Sequence, residues 1–404
     1  MTAQQPVPAA LAALSETTLP SPVAPPPDPG GGATVDRPLP PSAPTASPAP
    51  DLAAVAAAPQ DVFFGLWTAA DLAAAVQPQQ RAPQARWPAA AVVIVLWYWA
   101  VVQQQRPFER LLEEVWTLLV ALVRQRGMQV AAQAVSAVAF YQARRALGPA
   151  PFATLLTAAN RRVVGELDEL LRYQGLRLSA VDGSHLKLPA RAALAAEFGR
   201  PHSTGARRGR PQALLVTLDW VQAGWFYAWR LGRYEASELA LARDLSAALG
   251  PEDLRLGDRL FFAPYWFQEL DQRGVKFRFR TTADRWRSLT PATREAVLRQ
   301  RREQAGQVDL WGELQIRDPV TDQPRGTLRV RYLEIPQPER EQFNFFTNLE
   351  ATFLPPAAAI GGYLQRWGIE TDYRFLKGPA DRPAVVSRLP VTVRQEILVR
   401  LLAH

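Results

Sequence analysis

The spacing of hydrophobic positions divides the chain into a tail, a helical region and a region of strands. Residues 1–60 show no sustained period and contain Pro, Gly and Ala runs, which predict a disordered tail. From 61 to 171, apolar residues recur at helical spacing and predict helices over 87–105, 108–126 and 129–147. This region is therefore predicted to be an all-helical N-terminal domain of roughly 100 residues.

From residue 172 the period changes to one typical of strands separated by helices. The predicted elements are strands 176–188, 213–220 and 224–232, helix 235–249, strand 254–258, helix 261–273 and strand 275–282. This order predicts a mixed sheet flanked by helices, which forms the first part of a core over 172–283.

Residues 284–350 show a different pattern. Two segments alternate apolar and polar residues around turn residues 318–326, which predicts a hairpin with one solvent-facing side, inserted into the core as a β-rich subdomain. A long helix is predicted over 357–377, so that 351–404 completes the core. The predicted fold is therefore of the mixed α+β class.

Composition narrows the chemistry. The chain has no cysteine, which excludes disulfide frameworks, thiolate zinc sites and cysteine nucleophiles. The chain has three histidines, which provide few candidates for the zinc ligands of a protease or the base of a Ser-His-Asp hydrolase. Any catalysis is therefore expected to depend on carboxylates.

The net charge favours a polyanionic partner. The chain carries a formal charge of +8, and its first 60 residues contain four acids and one arginine, so residues 61–404 are more basic than the whole. The positive charge of residues 61–404 favours nucleic acid as a binding partner. Only three of the 46 Lys and Arg residues are lysines, so the position of each is informative. They are Lys187, Lys276 and Lys377.

The most apolar stretch, 88–102, has 15 residues, short of the roughly 20 that span a bilayer. It is predicted to be a buried helix. The N-terminus lacks the basic and apolar segments of a secretory signal. The chain is therefore expected in the cytoplasm, associated with the nucleoid when it is bound to DNA.

Two acids occupy informative positions. Asp182 follows the apolar run LSAV and precedes Gly183, and Asp258 follows LRLG in the same way. Each run is interpreted as ending a buried strand segment, and open sheets gather functional groups in one crevice at such strand ends. Taken singly, an Asp after a strand is more often a turn former or a helix cap. The two acids are therefore candidates that need support from elsewhere in the chain.

The predicted helix 357–377 contains the third candidate acid. Tyr363, Arg366, Glu370 and Lys377 project within an arc of about 60° on an ideal helix. An amphipathic helix with a solvated charged edge would give the same pattern.

Together these residues carry a family resemblance. The helix matches the spacing Tyr, two residues, Arg, three residues, Glu, six residues, Lys. The segments AVDGS and GDRLF around the two aspartates, FFTNL before the helix and SAVAFYQARRALG in the helical region occur in matching order. Over 136–404 the chain therefore resembles the cut-and-paste DDE transposases of the insertion-sequence-4 family.

The resemblance implies a ribonuclease-H-like catalytic domain in which Asp182, Asp258 and Glu370 bind two Mg²⁺ or Mn²⁺ ions. Oxygen ligands suit these ions, and two ions about 4 Å apart neutralise the attacking and leaving oxygens of a phosphodiester. A water and then the freed DNA 3′-hydroxyl would be the successive nucleophiles.

The resemblance also implies contacts with DNA. Arg366 and Lys377 would hold phosphates near the scissile bond, and Tyr363 a neighbouring phosphate or the cleaved 5′ end. In the family the cut ends pass through a DNA hairpin, with a flipped base stacked on an aromatic residue. The matching residue here is Phe343, which could equally be a core residue of its strand.

The sequence thus predicts a transposase that cleaves double-stranded DNA at the terminal inverted repeats of an insertion sequence, joins the ends to target DNA and works as a homodimer on DNA. The alternative is a truncated, inactive remnant that only binds DNA. It is kept open because family members usually continue with further helices, whereas this chain ends within an apolar periodic run.

Other features have competing interpretations. His185 follows Asp182 by three residues, and a local hydrogen bond is favoured over metal ligation. The basic stretch 205–211 either contacts DNA or is solvated. The aromatic residues of 97–99 are favoured as helix core, and Trp311 faces either DNA or the apolar side of the predicted hairpin.

Overall fold

The structure, a computed structural model, describes residues 65–77, 87, 89–101, 112, 136–201, 209–337, 340–377 and 385–404. Helices α1 to α11 of these ranges are Ala69–Val76, Ala89–Val101, Ala137–Leu147, Ala150–Leu167, Ala192–Phe198, Glu238–Leu245, Pro264–Gln272, Pro291–Glu303, Pro356–Leu364, Gly368–Lys377 and Pro390–Ala403. Strands β1 to β9 are Arg172–Tyr173, Leu176–Lys187, Gln212–Trp220, Trp225–Arg233, Asp253–Gly257, Lys276–Thr281, Val308–Arg317, Pro324–Gln337 and Arg340–Thr347. The predicted tail 1–60 lies outside the described residues, as does the predicted helix 108–126 except for residue 112.

The described strands form one mixed sheet in the order β4-β3-β2-β5-β6-β9-β8-β7, with β1 paired to β2. β5 pairs in parallel with β2 and with β6, and the other neighbours are antiparallel. β3 is buried along almost its whole length, as its continuous apolar run predicts for a central strand. The mixed α/β class is confirmed.

The predicted hairpin of 284–350 is confirmed at β7 and β8. These strands continue the same sheet, because β9 pairs with β8 on one side and with β6 on the other. Within this region the structure also contains α8, which the strand-like pattern did not predict. α8 buries only Thr293 and Val297, so it has little apolar periodicity to reveal it.

The buried-helix prediction for 88–102 is confirmed by α2, which is apolar on every side and is buried along most of its length. α2 packs against the C-terminal helix α11, and Trp97 Nε1 donates a hydrogen bond to the Leu402 carbonyl at 3.3 Å. One hydrophobic cluster joins these helices to the sheet. Among the described helices, none combines the length and apolarity needed to cross a bilayer.

The prediction of one continuous helix over 357–377 is wrong. α9 ends at Leu364, a 3₁₀ turn covers Gln365–Trp367, and α10 begins at Gly368. A 3₁₀ turn has three residues per turn, which changes the rotation between residues before and after it. The angular stripe expected from ideal helix geometry therefore cannot extend unchanged through this segment.

Candidate active site

Two adjacent parallel strands bring the first two acids together. The pairing of β2 with β5 ends at Ala180 and Leu256, and Asp182 and Asp258 each lie two residues beyond that last pair. Asp258 Oδ1 accepts the N–H of Arg259 at 2.6 Å and so begins a 3₁₀ turn. Asp258 follows the end of β5 as expected, whereas Asp182 lies within β2, which continues to Lys187 beside β3. The two acids meet where the parallel pairing of β2 and β5 stops.

Arg366 lies between these acids and Glu370. Asp182 Oδ2 is 4.0 Å from Arg366 Nη1, while Asp258 Oδ2 and Glu370 Oε1 are 3.9 and 3.6 Å from Nη2. Asp258 Oδ2 and Glu370 Oε1 both face Arg366 Nη2, so the distance between these two oxygens cannot exceed the sum of their distances to that nitrogen. The three predicted acids, from β2, the end of β5 and α10, thus surround one guanidinium.

The contacts of Arg366 with these acids are ionic and too long for hydrogen bonds. Arg366 lies in the 3₁₀ turn between α9 and α10 and is only 4% exposed. Its Nε is buried with no hydrogen-bond partner among the described residues. A buried cation that is not fully hydrogen-bonded is costly, so its presence here indicates a site arranged for charge.

Tyr363 connects this site to the aromatic core. It is fully buried, and its hydroxyl donates to Asp258 Oδ1 at 3.5 Å. Its ring centre lies 5.2 Å from that of Phe345 and 5.7 Å from Arg366 Cζ. Tyr363 therefore packs beneath Asp258 and Arg366.

Burial and neighbouring charges shift the ionisation of these groups. Burial raises the pKa of Asp182, and Arg366 opposes this effect by lowering it. For Arg366, burial lowers the pKa, but the nearby Tyr363, Asp258 and Asp182 raise it above the ordinary value. Burial raises the pKa of Tyr363 to about 12. Arg366 is consequently charged and Tyr363 neutral near pH 7.

Tyr373, which sequence analysis missed, fixes α10 to the sheet. Its buried hydroxyl donates to the Asp182 carbonyl at 2.8 Å and accepts the N–H of Thr217 at 3.1 Å. Because Tyr373 lies three residues after Glu370, these bonds set the position of the third acid relative to the first. The pattern offered no signal beyond an apolar position on the buried side of a helix.

Glu238 is a second residue that sequence analysis missed. It is the first residue of α6, and its carboxyl group lies against Gly183. Burial raises the pKa of Glu238, and the charges of Asp182 and Asp258 raise it further. Its sequence context indicates only an acid in the first turn of a helix, which is common for reasons of local stability.

The remaining predicted site residues lie at the margin. Lys377 is exposed, with Nζ 5.9 Å from the ring centre of Tyr373. Phe343 is half-buried, with its ring centre 5.9 Å from that of Phe345 and 4.7 Å from Arg280 Cζ. Glu370 is half-exposed, at 51% of its side chain. The four-residue stripe is therefore divided into a buried pair, Tyr363 and Arg366, and an exposed pair, Glu370 and Lys377.

The other features fall outside this centre. His185 Nε2 is 3.3 Å from the Tyr234 carbonyl, which matches the predicted local hydrogen bond. Trp97 and Trp99 are buried in the core. Trp311 is half-buried, with Arg329 Cζ 5.1 Å from its ring centre. Most of the basic stretch 205–211 lies outside the described residues.

The donor set suits a hard divalent cation, since Asp182, Asp258 and Glu370 offer oxygen alone. The guanidinium between them shows that a positive charge already fits the space they enclose. In the part of the chain that the structure describes, no three His, Cys, Asp or Glu side chains stand close enough to hold a metal ion as they lie. The oxygen ligands of the site therefore fit Mg²⁺ or Mn²⁺. The arrangement of these side chains, however, surrounds Arg366.

Comparison with known proteins gives two similarities. No protein-family model matches the sequence. The chain is 28% identical over 179 residues to a protein of Escherichia coli (strain K12) named "Putative transposase InsZ", and the match covers 44% of this chain and 56% of InsZ. The cryo-EM structure of the piggyBac transposase synaptic complex with hairpin DNA is weakly similar, with a TM-score of 0.41 and 10% identity over 85% of this chain and 74% of that one. The chain is thus similar in sequence to a transposase, over little more than half of that relative's length.

Proposed function

We propose that this protein is a DNA transposase of the insertion-sequence-4 type, which cleaves DNA and transfers strands with the help of divalent metal ions. The observation that carries the proposal is the meeting of Asp182, Asp258 and Glu370 around Arg366. These acids are far apart in sequence and come from three separate elements. The similarity to InsZ supports the same conclusion.

A ribonuclease-H-like core is part of the proposal. Its support is the strand order β4-β3-β2-β5-β6, in which the three strands β2 to β4 pair antiparallel and β5 and β6 then pair in parallel. In open sheets with parallel strands, functional groups gather beyond the carboxyl ends of those strands. Asp182 and Asp258 lie at that edge.

In this proposal Asp182, Asp258 and Glu370 hold Mg²⁺ or Mn²⁺, two ions in the complete site. When bound, such ions activate the attacking oxygen and neutralise the leaving oxygen of the phosphodiester. Tyr373 holds the helix carrying Glu370 against the strand carrying Asp182. Tyr363 holds Asp258 from below.

The basic and aromatic residues would contact DNA. Arg366 would pair with a phosphate at the scissile bond, and the exposed Lys377 with one farther along the strand. Phe343 would stack a base unpaired in a hairpin intermediate. The net charge of +8 supports a polyanionic substrate.

Terminal inverted repeats and target DNA are the proposed substrates, and two copies of the chain on DNA are the proposed assembly. The test uses purified protein, Mg²⁺ and a DNA fragment bearing the inverted repeats that flank the gene. Cleavage at the repeat ends is expected, and Asp258→Asn should remove it. Asp244→Asn is the matched control, because Asp244 is an exposed acid outside the site. Cleavage that survives Asp258→Asn would reject the proposal.

A second candidate is a protein that binds DNA without cutting it. It is favoured by the arrangement of the acids, of which no three in the described residues are grouped to hold a metal. Such a protein would shift repeat DNA in gels with a steep dependence on salt. It would leave the DNA intact at every Mg²⁺ or Mn²⁺ concentration.

A further inference from the structure

Glu238 lies beside the acids of the candidate site, at the start of α6. Ser237 precedes it and accepts the N–H of Ala240 through Oγ at 3.2 Å, which caps the helix. The cap fixes the backbone of the first turn and so the direction in which the Glu238 side chain leaves the helix. The position of this carboxylate is therefore set by the fold.

The Glu238 carboxyl group packs directly on the residue that follows Asp182. A Cβ added to Gly183 would lie 2.4 Å from Glu238 Cδ and 2.6 Å from Oε1. The N–H of Gly183 donates to Asp182 Oδ1 at 2.9 Å. The Glu238 carboxyl group therefore lies against the residue whose N–H holds the Asp182 carboxylate, within β2.

The charges around Glu238 are unfavourable in the protein alone. In the described ranges no basic side chain pairs with Glu238 within 4.0 Å, and its charged neighbours are Asp182 and Asp258. Glu235, three residues earlier, covers Gly199 in the same manner but pairs with Arg233 at 3.6 Å. Like charges that a single cation, Arg366, balances only in part cost free energy, which a further bound cation would recover.

The charge balance around Arg366 also favours a bound cation at this place. Arg366, more than nine-tenths buried, directs its guanidinium into the same group of acids, while its Nε has no hydrogen-bond partner among the described residues. Its single positive charge faces three acids, and Glu238 adds a fourth. The group of acids therefore has more negative charge than Arg366 balances.

We propose that Glu238 is a fourth acidic residue of the site and a positioning residue for Asp182. It holds the Asp182–Gly183 segment of β2 in place, and its charge strengthens the binding of the divalent ion by Asp182 and Asp258. The inference rests on the proposed function. It adds a residue that the three-acid signature does not contain.

The test separates charge from packing. Glu238→Gln keeps the size of the side chain and an oxygen against Gly183 but removes the charge. We expect Mn²⁺ binding, measured by calorimetry on the full chain, to weaken about tenfold, a typical effect of residues that support metal ligands. The single-turnover cleavage rate should fall by a similar factor, with the affinity for repeat DNA unchanged. Glu238→Asp should restore part of both.

Glu235→Gln is the matched control and should leave Mn²⁺ affinity and cleavage unchanged. The inference is overturned if Glu238→Gln binds Mn²⁺ and cleaves DNA as well as Glu235→Gln does. It is also overturned if thermal stability falls in parallel with affinity, because the residue would then support only the fold. A wild-type chain that neither binds Mn²⁺ nor cleaves DNA would reject the proposed function itself, and this inference with it.

Discussion

Two buried arginines, one in the hairpin and one in the candidate site, are paired in opposite ways. Arg331 of β8 is 1% exposed and forms a bidentate pair with Asp309, at 2.6 Å from Nε and 2.7 Å from Nη2. Its Nη1 donates to the Leu354 carbonyl at 2.7 Å. Arg366 is almost as deeply buried, yet it faces three acids at 3.6 to 4.0 Å and its Nε has no hydrogen-bond partner among the described residues.

The difference separates a structural ion pair from a site that is open to ligands. The Arg331 pair is complete within the protein, because each nitrogen has a partner at hydrogen-bond distance. Arg366 and the three acids lie close together, but none of their contacts is at hydrogen-bond distance. The site therefore retains the capacity to bind metal and phosphate. Three measurements can test this contrast, and a fourth examines a buried acid behind the site.

The largest expected effect is on catalysis. Asp182→Asn should slow DNA cleavage about 1000-fold, since loss of metal-centred stabilisation costs roughly 4 kcal/mol of the barrier. Asp309→Asn, the corresponding acid of the hairpin pair, should leave the cleavage rate per folded molecule unchanged. Single-turnover assays at matched folded concentration compare them, and equal losses in both variants would remove the contrast.

The next effect is on stability. Arg331→Met should lower the free energy of unfolding by about 3 kcal/mol, because Asp309 would keep a partly buried charge without its partner. Urea denaturation measures the change. The double variant Arg331→Met with Asp309→Leu should recover much of the loss. A loss below about 0.5 kcal/mol, the scale of surface substitutions, would mean that the pair is not structural.

A smaller and reversible effect is expected at Arg366. Arg366→Gln should cost about 1 to 2 kcal/mol of stability through repulsion among the three acids it faces. Millimolar Mg²⁺ should restore this stability, because an ion that binds only the folded state stabilises it. Mg²⁺ should not rescue Arg331→Met. If Mg²⁺ leaves the melting temperature of Arg366→Gln unchanged, the acids do not form a cation site.

The smallest effect concerns Asp219 of β3, on the sheet behind the site. It is fully buried, neither oxygen has a hydrogen-bond partner among the described residues, and burial raises its pKa well above the ordinary value. The charged groups facing it are Asp372, Asp182 and Arg255.

Because the folded pKa of Asp219 exceeds the unfolded one, the protonated acid favours folding below about pH 4, the unfolded pKa. That stability is lost as the pH rises towards the folded pKa, by up to about 1.4 kcal/mol for each pH unit. Asp219→Asn should flatten this part of the profile of melting temperature against pH. A profile parallel to that of the wild type would show that Asp219 does not titrate there.

Most of the sheet was predictable because its strands carry local signals. β3 is a continuous apolar run, and β7 and β8 alternate around a turn. The helix α8 was missed for the opposite reason, because it is mostly solvent-exposed. The break at 365–367 was missed because no proline marks it. The break includes Arg366, whose guanidinium lies between acids of other elements.

The candidate site was predictable in part. Asp182, Asp258 and Glu370 were found from strand ends and from the spacing in one segment. Glu238 and Tyr373 were not, because their contacts with Gly183 and Asp182 depend on how α6 and α10 cross the sheet. Such crossings are set by packing over long separations, and no local pattern encodes them.

The packing of α2 against α11 has a consequence for synthesis on the ribosome. Trp97 and its hydrogen-bond partner Leu402 are separated by 305 positions in the chain. At about 5 to 20 residues per second, the apolar α2 emerges roughly 15 to 60 s before α11 can cover it. During that interval its surface is exposed to aggregation, and chaperones that hold nascent chains are expected to govern the yield of folded protein.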